Sequence, residues 1–185
     1  MIAQERLKKI LNYDPETGIF RWIDAKNQSQ LNGEIAGSPD TRGWIYIGIE
    51  GKKYAAHRLA WLYVYGERPE IDIDHKNRCR SDNRIDNLRL ATKNQNQHNQ
   101  GISRANKTGF KGVCIHRPSG KYQSQIKHFG KKIYLGLFSS PEDASRAYEM
   151  AALKLFGEFS YNTKGNHHGA QKCCHHHIQG RPRSG

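Results

Sequence analysis

The sequence lacks any long apolar run. Hydrophobic residues make up 36% of its 185 positions, and no stretch approaches the roughly 20 apolar residues that a transmembrane helix needs. The opening residues also lack the apolar centre of a signal peptide. These absences argue against a membrane protein or a membrane partner, and we expect a cytoplasmic protein.

Paired cysteines are lacking as well. The chain has four cysteines, of which Cys79 and Cys114 lie far apart while Cys173 and Cys174 are adjacent. No CxxC pair is therefore present to hold structural zinc or to form a dithiol redox centre. We expect reduced thiols, no structural zinc, and a fold that is stabilised by packing.

Acidic residues are missing from a long central stretch. Between Asn87 and Pro141 there is no Asp or Glu, while ten Lys or Arg residues occur, and the whole chain carries a formal net charge of +13. Lys and Arg neutralise phosphates and release counterions. The pattern therefore favours a nucleic-acid partner over an ordinary solvated surface.

The sequence does contain a set of catalytic residue types between residues 71 and 99. Asp74 and His75 are adjacent, Asn87 follows twelve residues after the histidine, and Asn96 lies nine residues further on. Carboxylate and amide oxygens suit a hard divalent cation, and a neutral imidazole accepts a proton from water near neutral pH. These are the residue types that a metal-dependent nuclease needs.

Local patterns within this stretch predict a strand, a loop, a second strand and a helix. Alternating apolar and acidic residues are typical of a half-buried strand, and Thr92 is a suitable N-cap for the helix. This order would bring Asp74 and Asn96 within reach of one ion. The predicted elements are a strand over 71–74, a loop over 76–86, a strand over 87–90 and a helix over 93–99.

A further helix is predicted just before this stretch, over residues 56–65, and Gly66 ends it. Arg58 lies in its first turn, where free backbone N–H groups favour anions. Arg58 is therefore either a phosphate contact or an ordinary surface arginine.

A polar linker and a small sheet are predicted to follow. Residues 100–108 are polar and predict a linker, which could lie along DNA through Arg104 and Lys107. Three alternating segments then predict strands over 110–115, 121–127 and 131–138. In the last of these, Ile133, Leu135 and Leu137 are expected on the apolar face.

A helix is expected to cover this apolar face. Ser140 is a good N-cap, Pro141 suits the first helical position, and Gly157 is expected to end the helix. Small and apolar residues recur between them at helical spacing, so the helix can approach the sheet closely.

Two resemblances emerge from these segments. The DH pair, the NRIDNLR segment and the NQHN segment resemble the HNH endonucleases with the ββα-metal fold. The later segments FKGV, GKY, YLGLF and EDASRAYEMAALKLFGEF resemble the Apetala2 or ethylene-response-factor DNA-binding domain. Their order resembles that of phage and intron-borne HNH homing endonucleases.

The first resemblance implies a role for each catalytic residue. His75 would be the general base, and Asp74 and Asn96 would be ligands of one divalent ion, Mg²⁺ or Mn²⁺. Asn87 would brace the loop that holds the histidine. Two neighbours remain alternatives to Asn96 as a ligand, namely His98 and Asn99.

The second resemblance implies that the outward face of the sheet lies in the major groove of DNA. Arg or Lys could contact guanine there and Gln could contact adenine. The candidate DNA-contacting residues are Lys111, His116, Arg117, Lys121, Gln123, Gln125, Lys127, Lys132 and Tyr134.

Together these resemblances imply an α+β chain of two modules. A ββα-metal HNH nuclease module is expected over 1–100, with its catalytic core at 71–99, and a linker over 101–108. A three-stranded antiparallel sheet packed on one helix is expected over 109–164. The remaining residues, 165–185, are expected to form a disordered tail.

The implied function is a sequence-directed DNA endonuclease that nicks one strand as a monomer. Double-stranded DNA is the expected partner, in the bacterial cytoplasm, with no obligate protein partner. One alternative is a DNA-binding regulator with an inactive nuclease module. An RNA-directed protein is a second alternative, although Tyr134 is the only aromatic residue expected on the exposed sheet face, whereas single-strand RNA modules usually display several.

Overall fold

The computed structural model describes residues 2–25, 29–103 and 105–161, and these form a mixed α+β protein. In this part of the chain, no helix is both long and apolar enough to span a bilayer. Arg104 and the tail over 165–185 lie outside the described residues, so the predictions made for them stay predictions.

Four α-helices and ten strands occur in the described residues. The helices are α1 (Gln4–Ile10), α2 (Ala56–Tyr65), α3 (Lys93–Asn99) and α4 (Pro141–Phe156). The strands are β1 (Leu11–Asp14), β2 (Ile19–Trp22), β3 (Ser38–Pro39), β4 (Ile45–Ile49), β5 (Lys52–Ala55), β6 (Asp72–His75), β7 (Leu88–Ala91), β8 (Val113–Ile115), β9 (Tyr122–His128) and β10 (Lys131–Phe138).

The described residues fall into two compact units, and the chain passes between them more than once. The first unit comprises residues 2–68 and 79–87, and the second comprises 69–78 and 88–161. The strand pair β6–β7 and helix α3 thus belong to the same unit as β8–β10 and α4. The division at residues 101–108 that the sequence suggested stays a prediction.

The first unit is built from a hairpin, a three-stranded sheet and two helices. Strands β1 and β2 pair antiparallel, and β4 pairs with both β3 and β5. Helix α2 packs on α1, β4 and β5. Its end at Gly66, which has a φ of 81°, is the left-handed cap that the sequence predicted. The largest fully buried apolar side chains of this unit are Leu7, Leu11, Phe20, Ile47 and Leu59.

The segment 79–87 packs against the β1–β2 hairpin. The hydroxyl of Tyr13 donates a hydrogen bond to the backbone oxygen of Asn83, at 2.7 Å. Gly18 has a φ of 72° and lies so close to this segment that a Cβ there would overlap the backbone of Arg84. The hairpin therefore fixes the course of a segment that has little apolar surface of its own.

The second unit begins with the strand pair β6–β7 and α3, in the order that the sequence predicted. The strands pair antiparallel, with Asp74 opposite Arg89 and His75 opposite Leu88. Thr92 caps α3: its hydroxyl accepts from the backbone N–H of Gln95, and the Gln95 side chain accepts from the backbone N–H of Thr92. This reciprocal capping box begins the helix at Lys93, as predicted.

The rest of the second unit is an antiparallel sheet, in the order β10-β9-β8, packed on α4. Ile126 on β9 packs with Tyr148 and Ala152 on α4. Gly112, just before β8, has a φ of 74°, and a Cβ there would overlap the ring of Tyr148. Ser140 accepts from the backbone N–H of Asp143 and Gly157 follows the last turn, so both predicted ends of α4 are confirmed.

One predicted orientation on this sheet is wrong. The register between β9 and β10 shifts between Tyr134 and Gly136, so that Gly136 lies opposite Ser124 and Leu137 opposite Gln123. Residues directly opposite each other share a face of the sheet. A β-bulge therefore moves Leu137 from the expected apolar face to the outward face.

Candidate functional site

Asp74 is held on β6 by a buried ion pair with Arg89. The Nε and Nη2 atoms of Arg89 both donate to Oδ2 of Asp74, at 3.0 and 2.8 Å. The two side chains are only 10% and 12% exposed. The arginine also donates to the backbone oxygen of Glu158, at 2.7 Å, and its guanidinium lies 3.9 Å from the ring centroid of Phe159. The carboxylate therefore has a fixed position and a compensated charge.

Asn99 at the end of α3 fixes the same carboxylate from another side. Its Nδ2 atom lies 3.1 and 2.9 Å from the two carboxylate oxygens of Asp74 and 2.9 Å from the backbone oxygen of His75. The side chain is buried. Asn99 thus ties α3 to β6 through its nitrogen, which is a bracing contact and not one that a metal ligand makes.

Asn96 lies one helical turn before Asn99. Residues three apart on a helix share a face, so Asn96 is on the face of α3 that approaches β6, and its side chain is partly exposed. His98 instead stacks on Phe156, with ring centroids 3.5 Å apart. Its pKa is lowered because burial and the nearby Lys111 and His128 disfavour the charged form.

His75 is the last residue of β6 and directly follows Asp74. Its side chain is only 3% exposed, and its backbone oxygen accepts from both Asn99 and the backbone N–H of Arg78. The guanidinium of Arg78 lies 4.3 Å from the ring centroid of Tyr161. The backbone around the histidine is therefore tied down on both sides.

Asn87 is a buried residue of the first unit. Its Nδ2 atom donates to the backbone oxygen of Asp82, at 2.8 Å. Within the same segment, Arg84 forms a bidentate ion pair with the Asp82 carboxylate. Asn87 thus braces the segment 79–87. Arg58, in the same unit, is exposed in the first turn of α2.

Among the described residues, no cluster of three or more His, Cys, Asp or Glu side chains has the arrangement of a metal site. A site built from the described residues that uses Asp74 would therefore draw at least part of its ligand set from amides, water or substrate oxygens. The donor set is compatible with a hard ion, because Oδ1 of Asp74 accepts one long hydrogen bond while Oδ2 carries the arginine contacts.

Strands β8, β9 and β10 form the sheet that is called the second sheet here. On its outward face, residues of neighbouring strands lie directly opposite each other. Lys127 pairs with Lys132, and Gln125 pairs with Tyr134. Gln123 pairs with both Leu137 and Cys114. Ser124 and Ile126 are buried on the opposite face. The predicted separation of a polar, cationic face from an apolar one is therefore present on β9.

Other predicted DNA-contacting residues lie in the turns around this sheet. Lys121 and Arg117 are exposed, and His116 shares a 2.8 Å hydrogen bond with the hydroxyl of Ser119. Lys107 is exposed in the segment before β8. Within that segment, the Asn106 side chain donates to the backbone oxygen of Phe110, at 2.8 Å.

Lys111, one of the predicted DNA-contacting residues, binds the end of α3. Its ammonium donates to the backbone oxygens of His98, at 2.7 Å, and Gln100, and lies 4.9 Å from the ring centroid of Tyr161. Burial lowers its pKa to about 8. The ammonium thus binds the carbonyl end of α3, and the DNA contact predicted for Lys111 stays a prediction.

Two supporting residues, one in each unit, were not identified from the sequence. Arg89 could have been identified from the sequence, since the antiparallel pairing of the segments DIDH and LRLA places it opposite Asp74. Tyr13 supports the segment 79–87 across a sequence separation of 70 residues. No local sequence pattern predicts such a contact.

Comparisons with known proteins find similar sequences for both parts of the chain. Residues 54–98, which contain Asp74, His75, Asn87 and Asn96, match the family model described as HNH endonuclease. The chain is 31% identical over 114 residues to the HNH endonuclease L560 of Acanthamoeba polyphaga mimivirus, covering 60% of this chain and 58% of that protein.

Part of the chain is also similar to plant transcription factors. The chain is 45% identical over 67 residues to the ethylene-responsive transcription factor RAP2-11 of Arabidopsis thaliana, covering 35% of this chain and 26% of that protein. A solved structure on DNA binding and cleavage by the HNH homing endonuclease I-HmuI is 19% identical, with a TM-score of 0.40, and the match covers 80% of this chain and 85% of that chain. The chain spans only part of the curated relatives it matches, but both resemblances seen in the sequence are confirmed.

Proposed function

We propose that this chain, which combines an HNH endonuclease segment with an Apetala2-like segment, is a metal-dependent DNA endonuclease. The observation that carries the proposal is the fixed carboxylate of Asp74, which Arg89 and Asn99 position beside His75 within the matched segment. An acidic side chain that is so fully oriented, next to a histidine, suits phosphodiester hydrolysis better than a purely structural role.

The residues that would hold the ion are Asp74 and Asn96. The bracing contacts of Asn99 and the stacking of His98 on Phe156 favour Asn96 over these two alternatives as the amide ligand. A hard divalent ion such as Mg²⁺ or Mn²⁺ would supply positive charge to the scissile phosphate and the leaving oxygen.

The protein side chains provide the remaining chemistry. His75 accepts a proton from the attacking water, and Asn99 keeps its backbone in place. Asn87 braces the segment 79–87. Hydrolysis would leave a 5′ phosphate and a 3′ hydroxyl, and one such site per chain would nick a single strand.

The outward face of the second sheet would bind duplex DNA. Its lysines suit phosphates and its glutamines suit adenine edges, and the exposed turn residues Arg117 and Lys121 extend the cationic surface. Arg58, Arg104, Lys107 and His116 remain further candidates for phosphate contacts. DNA as the substrate also implies a location with the DNA of the cell.

The experiment that tests the proposal is cleavage of supercoiled plasmid with Mg²⁺, with and without a chelator. We expect conversion to nicked circles by the native chain and at least a hundredfold loss in Asp74→Asn and His75→Gln. The matched control is Asp72→Asn, which removes a carboxylate from the same strand, two residues away, and should still cut.

DNA binding in the chelator and the urea midpoint of unfolding are measured for each variant, so that a failure to fold is recognised. A native chain that binds its own locus but cuts nothing with Mg²⁺ or Mn²⁺ would contradict the proposal. That result would identify a DNA-binding regulator instead.

A further inference from the structure

The turn between β9 and β10 contains a residue type that is uncommon in turns of this kind. His128 pairs with Lys131, so Phe129 and Gly130 form a two-residue turn, with φ values of 44° and 77°. Two positive φ values define a type I′ turn, in which Asn, Asp or Gly is strongly preferred at the first position. A bulky aromatic residue with positive φ is a conformational outlier.

The side chain of Phe129 gains little from this conformation. It is 79% exposed, and its ring centroid lies 4.2 Å from that of the adjacent His128. Local strain together with an exposed apolar ring lowers stability, and such costs concentrate at functional positions.

A second turn of the same kind in this chain shows the usual solution. Glu50 and Gly51 connect β4 and β5 with φ values of 50° and 76°. The residue in the first position is polar there, and its carboxylate is bound by Arg6 at 2.8 Å. The chain thus uses a solvated, paired side chain at one turn and an exposed aromatic ring at the other.

The surroundings of Phe129 are cationic. Lys127 lies directly opposite Lys132, and Lys131 follows the turn; all three are exposed. Like charges opposite each other in a sheet repel, so this arrangement also gains nothing from the fold. A polyanion with flat apolar surfaces between its charges would match both features, and duplex DNA is such a partner.

We propose that Phe129 is a wedge that stacks on a base-pair step of duplex DNA, while Lys127, Lys131 and Lys132 bind the flanking phosphates. Inserted apolar side chains partly unstack a step and bend the duplex. The inference rests on the proposed binding of DNA by this sheet but does not depend on cleavage. It assigns to the hairpin tip a contact with the base stack itself, in addition to hydrogen bonds with base edges.

The test measures unwinding of closed circular plasmid in a chelator, so that no strand is cut. Plasmid is relaxed by a metal-independent topoisomerase in the presence of the chain, and the topoisomers are separated after the protein is removed. The native chain should shift the topoisomer distribution in proportion to the protein bound, because an inserted ring untwists the step.

The decisive variant is Phe129→Asn, since asparagine is favoured at this turn position. We expect it to unfold at an equal or higher urea concentration, to bind DNA about five- to hundredfold more weakly, and to cause little unwinding at equal occupancy. Phe129→Tyr keeps the ring and should retain the unwinding.

Met150→Ala is the matched control. Met150 is 75% exposed on α4, on the side of the helix that faces away from the sheet, and its removal should leave binding and unwinding unchanged. Equal unwinding by Phe129→Asn and the native chain at equal occupancy would overturn the wedge while leaving DNA binding intact.

Two other outcomes would also overturn the inference. A native chain that does not bind plasmid even at low salt would contradict the proposed function together with the wedge. A dimer in solution that Phe129→Asn dissociates would assign the ring to an interface between copies of this chain.

Discussion

At the scale of single residues, Arg89 connects the candidate catalytic carboxylate to the rest of its unit. It binds Asp74 on one side and the backbone oxygen of Glu158 on the other. Loss of one partner of a buried ion pair leaves an uncompensated charge and typically costs about 3–5 kcal/mol. Arg89→Met, which keeps an unbranched side chain but removes the guanidinium that lies over Phe159, should lower the free energy of unfolding by about that amount and greatly reduce cleavage.

Urea denaturation of the native chain, of Arg89→Met, of Asp74→Asn and of the double variant measures the interaction between these two side chains. Arg89→Met should lower the free energy of unfolding much less in an Asp74→Asn background, because the carboxylate charge is then absent. The matched control is Arg84→Met, which removes a similar bidentate pair with Asp82 at a far more exposed position and should change stability little. Equal costs of Arg89→Met in both backgrounds would contradict the importance of the ion pair.

Lys111 should make stability depend on pH. Burial lowers its folded-state pKa from 10.5 to about 8, so the unfolded chain binds the extra proton between these values. Stability therefore rises with pH wherever the unfolded state binds more protons. We expect the urea midpoint to increase from pH 8 to about 10.

Above pH 10 the trend should reverse, because burial raises the pKa of Tyr148 to about 12 and that of Tyr13 still further. Tyrosines with raised folded-state pKa values lose stability once the unfolded tyrosines ionise. Lys111→Met should abolish the rise between pH 8 and 10 without changing the later fall. A rise that persists in this variant would assign the titration to another group.

The candidate catalytic residues were proposed from the sequence, whereas the residues that hold them were not. Asp74, His75 and Asn87 stand out because their types and spacing match a reaction. Arg89 was missed because its partner lies fifteen positions away. The contact of Lys111 with α3 could not be predicted either, because the sequence shows its charge but not its orientation.

At the scale of elements, the contact between α4 and the second sheet depends on Gly112. A Cβ at this position would overlap the ring of Tyr148, and the φ of 74° disfavours any other residue. We expect Gly112→Ala to destabilise the chain by the backbone strain plus about 1–3 kcal/mol of overpacking. The measurement is the urea midpoint of unfolding.

Gly109 provides a matched control for this substitution. Its φ is 75°, nearly the same as that of Gly112, but nothing lies within 4 Å of the position that a Cβ would take. Gly109→Ala should therefore lower the free energy of unfolding only by the backbone strain. If the two substitutions are equally destabilising, close packing against Tyr148 is not the reason for the glycine.

The ends of helices were easier to predict than the orientation of strands. Thr92, Ser140 and Gly157 carry local capping chemistry, so the bounds of α3 and α4 could be predicted from neighbouring residues alone. Gly136 is a weaker local sign, since an isolated glycine in a strand can mark a bulge, and the bulge before it reversed the predicted orientation of Leu137. Period-two alternation is reliable only while the register is unbroken.

At the scale of the whole molecule, the net charge of +13 should dominate the affinity for DNA. The logarithm of the binding constant falls with the logarithm of salt concentration, by about 0.9 per neutralised phosphate. Lys132→Ala should weaken binding to all sequences and reduce this slope by about one. Fluorescence anisotropy of a labelled duplex at several salt concentrations measures it.

Lys154 on α4 is the control for this slope. It is exposed in the last turn of the helix, and its removal lowers the net charge by the same amount. Lys154→Ala should leave the slope unchanged if the outward sheet face is the binding surface. Equal changes for both lysines would indicate a diffuse charge effect instead.

The passage of the chain between the two units was not predictable from the sequence. Composition changes at residues 100–108, but the compact units separate at 68, 78 and 87. Such a division depends on contacts between distant residues, and a window of neighbouring residues does not contain that information.

The anchoring of the β6–β7 pair and α3 limits how this protein can be recombined. Lys111 binds the end of α3, and Glu158 and Phe159 hold Arg89. A chimera joined at residues 100–108, with a foreign DNA-binding module after that breakpoint, would discard these three anchors along with the original sheet. Retargeting the protein by grafting would therefore require their equivalents in the donor, whereas exchanging side chains on the outward sheet face leaves the anchors in place.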